Sequence, residues 1–154
     1  MKILIFSDKA SFYPELAAGA AALGEVSAYT VDSAEKAAQI PAAAVYYTAP
    51  AEGNMFEDYL PTLKEIVAQE KPNAVFIGAT KRGKYMAARL AAALGTAALT
   101  DLSGITAEEG QIRGKQPYYS GVAVSAVASQ GSVAVVQITA DSYDPAHGTA
   151  AVCE

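Results

Sequence analysis

Tryptophan is missing from this chain, and cysteine and histidine occur once each. The single thiol, Cys153, stands next to the last residue, so no intramolecular disulfide and no paired-cysteine metal motif is possible. A reducing compartment, the cytoplasm, is the expected location. The one imidazole, His147, lies far along the chain from any candidate nucleophile, which leaves Ser-His-Asp and Cys-His arrangements without support. No base, nucleophile or metal set is convincing, so a role other than catalysis is favoured, with no metal bound.

Long apolar runs are also lacking. None approaches the roughly 18 residues of a membrane helix, and the opening run to Ser7 is too short for a signal peptide's apolar region. A soluble protein is expected. Positive charge is scarce: 11 Lys and Arg against 16 Asp and Glu leave a formal charge of -5, which excludes a general nucleic-acid or anionic-membrane surface.

What the chain does have is alanine, 34 of 154 residues, a length that fits one domain. Alanine favours helix and lets layers approach closely. Apolar periodicity predicts a strand at 3–6, a helix at 14–23 closed by Gly24, and a strand at 26–31. Asp32 with Glu35 predicts a capped short helix to Ile40, followed by a strand at 43–47. Phe56, Leu60, Leu63 and Val67 recur at helical spacing to Glu70, with Pro61 in the first turn or at a kink. A strand at 74–77, a loop at 78–82 and a helix through Met86, Leu90 and Leu94 to Gly95 form the clearest strand-helix unit.

Such alternation predicts a three-layer, doubly wound, mostly parallel α/β sheet of Rossmann-like type. Beyond Leu102, two antiparallel hairpins are expected. One turns at Glu108-Glu109-Gly110, and the other pairs 123–128 with 133–139 across Ser129 to Ser132. The domain is placed at 1–140, with 141–154 a linker-like tail.

Gly78-Ala79-Thr80-Lys81-Arg82-Gly83-Lys84 has the glycine and lysine spacing of a phosphate-binding loop between strand and helix. Tyr85 stands where such a loop needs Ser or Thr for Mg²⁺, which argues against nucleotide hydrolysis. Lys81, Arg82 and Lys84 nevertheless crowd the positive end of a helix, against the macrodipole. Two readings stay open: an anion held by backbone N–H groups, Gly78, Thr80, Arg82, Gly83 and Lys84, or a solvated basic loop with Thr80 as cap. Ser7 and Asp8 would face the same sheet edge, and Asp8 could instead cap a helix. Asp101 ends an apolar run, where it either joins the site or pairs with a neighbouring loop. Exposed members of Tyr46-Tyr47 and Tyr118-Tyr119 would suit a protein interface, while core packing is their ordinary role.

The stretch from Lys71 to Lys84, continuing through Ala88-Arg89-Leu90-Ala91, Leu94-Gly95-Thr96 and Thr100-Asp101, resembles the electron-transferring flavoprotein alpha subunit. Tyr119-Ser120-Gly121 and Ser142-Tyr143-Asp144 resemble later motifs of its amino-terminal domain. Gln116-Pro117 and Thr139 stand where that family has arginines, with Arg113 close to the first. The resemblance implies an adenine-nucleotide-hydrolase-like fold and a scaffolding role. It implies no cofactor held by this chain alone, with FAD and AMP belonging to the complex. Its expected partners are a beta-subunit-like protein, a flavin-domain chain, or other copies of itself. The alternative is a small nucleotide- or anion-binding module built on Gly78 to Lys84.

Overall fold

The computed structural model describes residues 1–146, 148 and 151–153, so His147 lies outside the described residues. The strands are β1 (Lys2–Phe6), β2 (Glu25–Val31), β3 (Ala44–Thr48), β4 (Ala74–Gly78), β5 (Ala98–Glu108), β6 (Gln111–Tyr118), β7 (Ala123–Ala128), β8 (Ala134–Ile138) and β9 (Ala151–Cys153). The α-helices are α1 (Tyr13–Ala21), α2 (Ala34–Ala37), α3 (Leu60–Glu70) and α4 (Lys81–Leu94). One sheet runs in the order β7-β6-β5-β8-β4-β1-β2-β3-β9. It is parallel from β5 to β9 and antiparallel across β5, β6 and β7.

Side chains alternate along the central strands, and each face builds its own core. Ile3, Ile5, Ala74, Phe76 and Val136 pack with Tyr13, Leu16, Ala17 and Ala20 of α1. Leu4, Phe6, Val75, Ile77 and Val135 pack with Leu63 and Val67 of α3 and Met86 and Leu90 of α4. This is the three-layer, doubly wound arrangement that the alternation predicts. Local signals set the boundaries. Pro61 stands in the first turn of α3, where its missing N–H costs nothing. Gly95, at φ 66°, ends α4 in the left-handed conformation.

Three expectations differ. First, β7 and β8 do not form a hairpin: β7 lies against β6 at the sheet edge, while β8 inserts in parallel between β4 and β5. All five residues of β8 are buried, as a central parallel strand requires, whereas most of β7 is exposed. Second, the cap of α2 is Ser33, whose hydroxyl accepts from the Lys36 N–H. Asp32 instead accepts from the Ser33 N–H at 2.8 Å and pairs with Lys36 at 3.1 Å.

Third, the described part of 141–154 is docked rather than linker-like. The Glu15 carboxylate accepts from the backbone N–H groups of Ser142 and Tyr143. Ala146 N–H donates to the Pro14 carbonyl, and β9 extends the sheet beside β3. The Tyr143 hydroxyl accepts from the Ile105 N–H at 3.3 Å, and its ring lies over Gly19 of α1, where a Cβ would come within 2.6 Å of the ring edge. Apolar periodicity cannot register a segment held by a carboxylate and a missing Cβ.

Beneath the sheet edge, the buried Tyr13 hydroxyl donates to the Tyr29 carbonyl at 2.6 Å and accepts from the Ser7 N–H at 3.2 Å, tying α1 to the ends of β1 and β2. Burial pushes the Tyr13, Tyr29 and Tyr143 phenols up. A hydrogen bond to Glu70, then burial, pushes Tyr46 up to about 12.

Gly19→Ala is expected to cost about 1–3 kcal/mol through the Tyr143 clash. Tyr143→Ala in the same chain should remove that clash, so chemical denaturation of the double-mutant cycle will read strong non-additivity. The tyrosines predict an alkaline limit. The folded phenols hold their protons above the ordinary value of about 10. Their contribution is therefore complete below pH ~10 and is lost as pH rises through the raised values, about 12 for Tyr46. Melting temperature against pH, with phenolate absorbance followed in parallel, checks this.

Candidate functional site

In an open α/β sheet, the crevice forms where neighbouring strands send their connections to opposite sides. Here that point lies between β1 and β4. Ser7 and Asp8 follow β1, Gly78 ends β4, and Ala79 and Thr80 follow it, so these residues meet at one edge of the sheet.

Thr80 organises it. Its backbone is extended, at φ -106° and ψ 168°, and its hydroxyl caps α4 by accepting from the Gly83 N–H at 2.8 Å. The same hydroxyl donates to Asp8 Oδ1 at 2.6 Å. Asp8 thus binds the α4 cap rather than capping a helix of its own. The glycines answer to packing. A Cβ on Gly83 would stand 2.1 Å from the Gly78 carbonyl oxygen, and one on Gly78 would stand 2.7 Å from Ser7 Oγ. The spacing that resembles a phosphate loop therefore follows from the close approach of α4 to the end of β4. Ser7 is buried, and its hydroxyl accepts from the Lys9 N–H at 3.2 Å.

Two of the loop's three basic side chains face carboxylates of this chain. Lys84 Nζ lies 2.7 Å from Asp101, and Arg82 Nε lies 3.9 Å from Glu57. Asp101 reaches Lys84 from a left-handed backbone position, φ 56°, inside an irregularity of β5 between Leu99 and Leu102. The Gln116 side-chain amide donates to the neighbouring Thr100 carbonyl at 2.9 Å and holds that irregularity. Such exposed pairs contribute about 0–1 kcal/mol each, but they set a local charge balance that an incoming anion must break.

Two members were not foreseen. Glu57 comes from the turn before α3, and Gln137 of β8 donates to the Thr80 carbonyl at 3.2 Å. Among the described residues Glu57 Oε2 and Gln137 Oε1 are buried acceptors without a partner. Gln137, a polar residue inside an otherwise apolar strand, was the available signal; Glu57 carried none.

A cavity of about 190 Å³ opens beside Ser7, Asp8, Thr30, Asp32 and Tyr59. That is below the roughly 300 Å³ at which small-molecule pockets begin. A larger groove of about 690 Å³ lies elsewhere, over Tyr29, Tyr46, Tyr47 and α3. Among the described residues no group of three or more His, Cys, Asp or Glu could hold a metal ion, and no helix is long and apolar enough to cross a membrane.

Thr80→Ala is expected to lose about 1 kcal/mol, the value of a helix cap, and Thr80→Ser to restore most of it. Gly83→Ala should destabilise more than either, because its Cβ meets a backbone oxygen that cannot move aside. Urea unfolding of the three variants tests the order.

The family described as the electron transfer flavoprotein domain matches residues 14–153. A protein named FixB from Salmonella typhimurium is 31% identical over 147 residues, covering 92% of this chain and 47% of its own. FixB from Escherichia coli O157:H7 is 29% identical over 150 residues, covering 94% and 48%. The chain thus spans about half the length of the curated relatives it matches. With the family matched across nearly all its length and the expected α/β fold in place, this chain belongs to the electron transfer flavoprotein domain family.

Proposed function

We propose that this chain is an assembly domain of an electron-transfer flavoprotein complex, working by protein contact and carrying no redox group of its own. One observation carries the reading. Among the described residues the sheet ends at β7, a strand with a free edge, and on it or just before it Val124, Val122 and Tyr119 are 62%, 89% and 82% exposed. Large apolar side chains grouped on a sheet edge mark an interaction surface. The tip is also shaped: Tyr119, Ser120 and Gly121 take left-handed backbone angles of 50°, 54° and 89°, unusual for the first two.

A beta-subunit-like protein, a flavin-domain chain or another copy of this chain would fill the surface, with FAD and AMP held elsewhere in the complex. The crevice at Ser7, Gly78, Thr80, Arg82, Gly83, Lys84 and Asp101 then serves as structure. The Thr80 hydroxyl is committed twice, and Arg82 and Lys84 already face carboxylates. That balance ranks the anion-binding module second.

Co-expression with a beta-subunit-like protein tests the order. Val122→Asp with Tyr119→Asp should weaken association at least about tenfold, roughly 1.4 kcal/mol. Arg82→Ala with Lys84→Ala should leave it unchanged. An isolated chain that retains AMP or FAD, and loses it in the second variant, would make this a ligand-binding module instead.

A further inference from the structure

We infer that the free edge of β7 binds a second copy of this chain, the two β7 strands pairing antiparallel about a two-fold axis at Ser125. The inference rests on the assembly reading above and names one partner for that surface.

Exposed edges are ordinarily guarded by charge, proline or a bulge. Ala123–Ala128 reads AVSAVA, with no charged residue and no proline, and it runs in unbroken register with β6. Its outer backbone groups are a ready template for another strand. A two-fold axis perpendicular to a sheet keeps every side chain on its own face, so opposed residues must share a face. Centred on Ser125, this places Val124 against Ala126, Val127 against Ala123, and Val122 against Ala128. Every valine meets an alanine, large against small, and the two Ser125 hydroxyls meet at the axis, where they can hydrogen-bond. A centre one residue on, at Ala126, sets Val127 against Ser125 and Val122 against Gln130, and the match is lost.

Charge does not oppose the pairing. The nearest cations, Arg113 and Lys115, sit one strand in, opposite Ala128 and Ala126. Across the dimer, copies of Lys115 would stand three strand spacings apart, about 14 Å. That exceeds the screening length of about 8 Å at physiological salt. A single strand pair with two apolar tips is a small interface, so the dimer should be reversible and dependent on concentration.

Sedimentation velocity of the whole chain, from low to high micromolar concentration, should show monomer giving way to dimer. Val124→Lys, the guard that natural edges use, should hold it monomeric with unchanged circular dichroism and, at concentrations where both chains are monomers, an unchanged melting temperature. Cross-linking tests the register in a Cys153→Ser background. Opposed Cα atoms about 4.5–5.5 Å apart lie within disulfide reach. Ser125→Cys should therefore link to itself on mild oxidation. Val124→Cys and Ala126→Cys should each stay unlinked alone and join when mixed. A chain that stays monomeric, or an Ala126→Cys variant that links to itself while Ser125→Cys does not, overturns the inference. If a monomeric chain still captures a beta-subunit-like protein through this edge, self-pairing falls and the assembly reading stands. If neither association occurs, both fall.

Discussion

Strand β8 joins the two parts of the sheet. On one side it pairs with β4, on the other with β5, and β6 and β7 reach the parallel sheet only through β5. Its side chains serve both cores: Val135 belongs to the α3 and α4 face, and Ala134, Val136 and Ile138 belong to the α1 face. Burying each large apolar side chain contributes about 1.5–3 kcal/mol. The antiparallel strands can pair locally, but they dock only when residues 134–138 arrive, so a long-range closure completes the fold. Gln137 gives the same strand a second task, because its amide holds the Thr80 carbonyl and with it the start of α4.

Much of this was legible from the residues alone, and the limits have physical causes. Up to Gly95 each element carries its own punctuation: a proline in the first turn, a glycine at the stop, an apolar stripe at helical or strand spacing. Those signals are local, and the structure honours most of them, the cap of α2 moving from Asp32 to Ser33. After Leu102 they weaken. Both β7 and β8 are short and apolar with small polar residues between them, and a hairpin is the simplest way to join such strands. What separates them is burial on one face or two, which a window of sequence does not contain. The consecutive apolar residues Ala134-Val135-Val136 were the better guide, since strands buried on both faces tend not to alternate.

The crevice divides in the same way. Gly78, Thr80 and Gly83 stood out by spacing and do come together, while the reason for the spacing is an approach between backbone atoms that no residue pattern specifies. Pairings such as Lys84 with Asp101 and Arg82 with Glu57 depend on which loops the sheet order brings side by side. The outcome changes the chemical meaning of the loop. A cluster of cations at a helix start invites an anion when read alone. With Arg82 and Lys84 set against carboxylates from two other parts of the chain, it is partly balanced, and attention shifts to the apolar sheet edge.

The docked segment after β8 has a mechanical consequence. A pull applied at Cys153 would first load the β9–β3 ladder. It would then reach the Tyr143 ring over Gly19 and the Glu15 carboxylate that grips Ser142 and Tyr143. Only after those yielded would tension reach Ile138 and the central strand. The core is thereby shielded from strain transmitted along the backbone, and whatever tugs on this end of the domain spends its force on attachments that can reform.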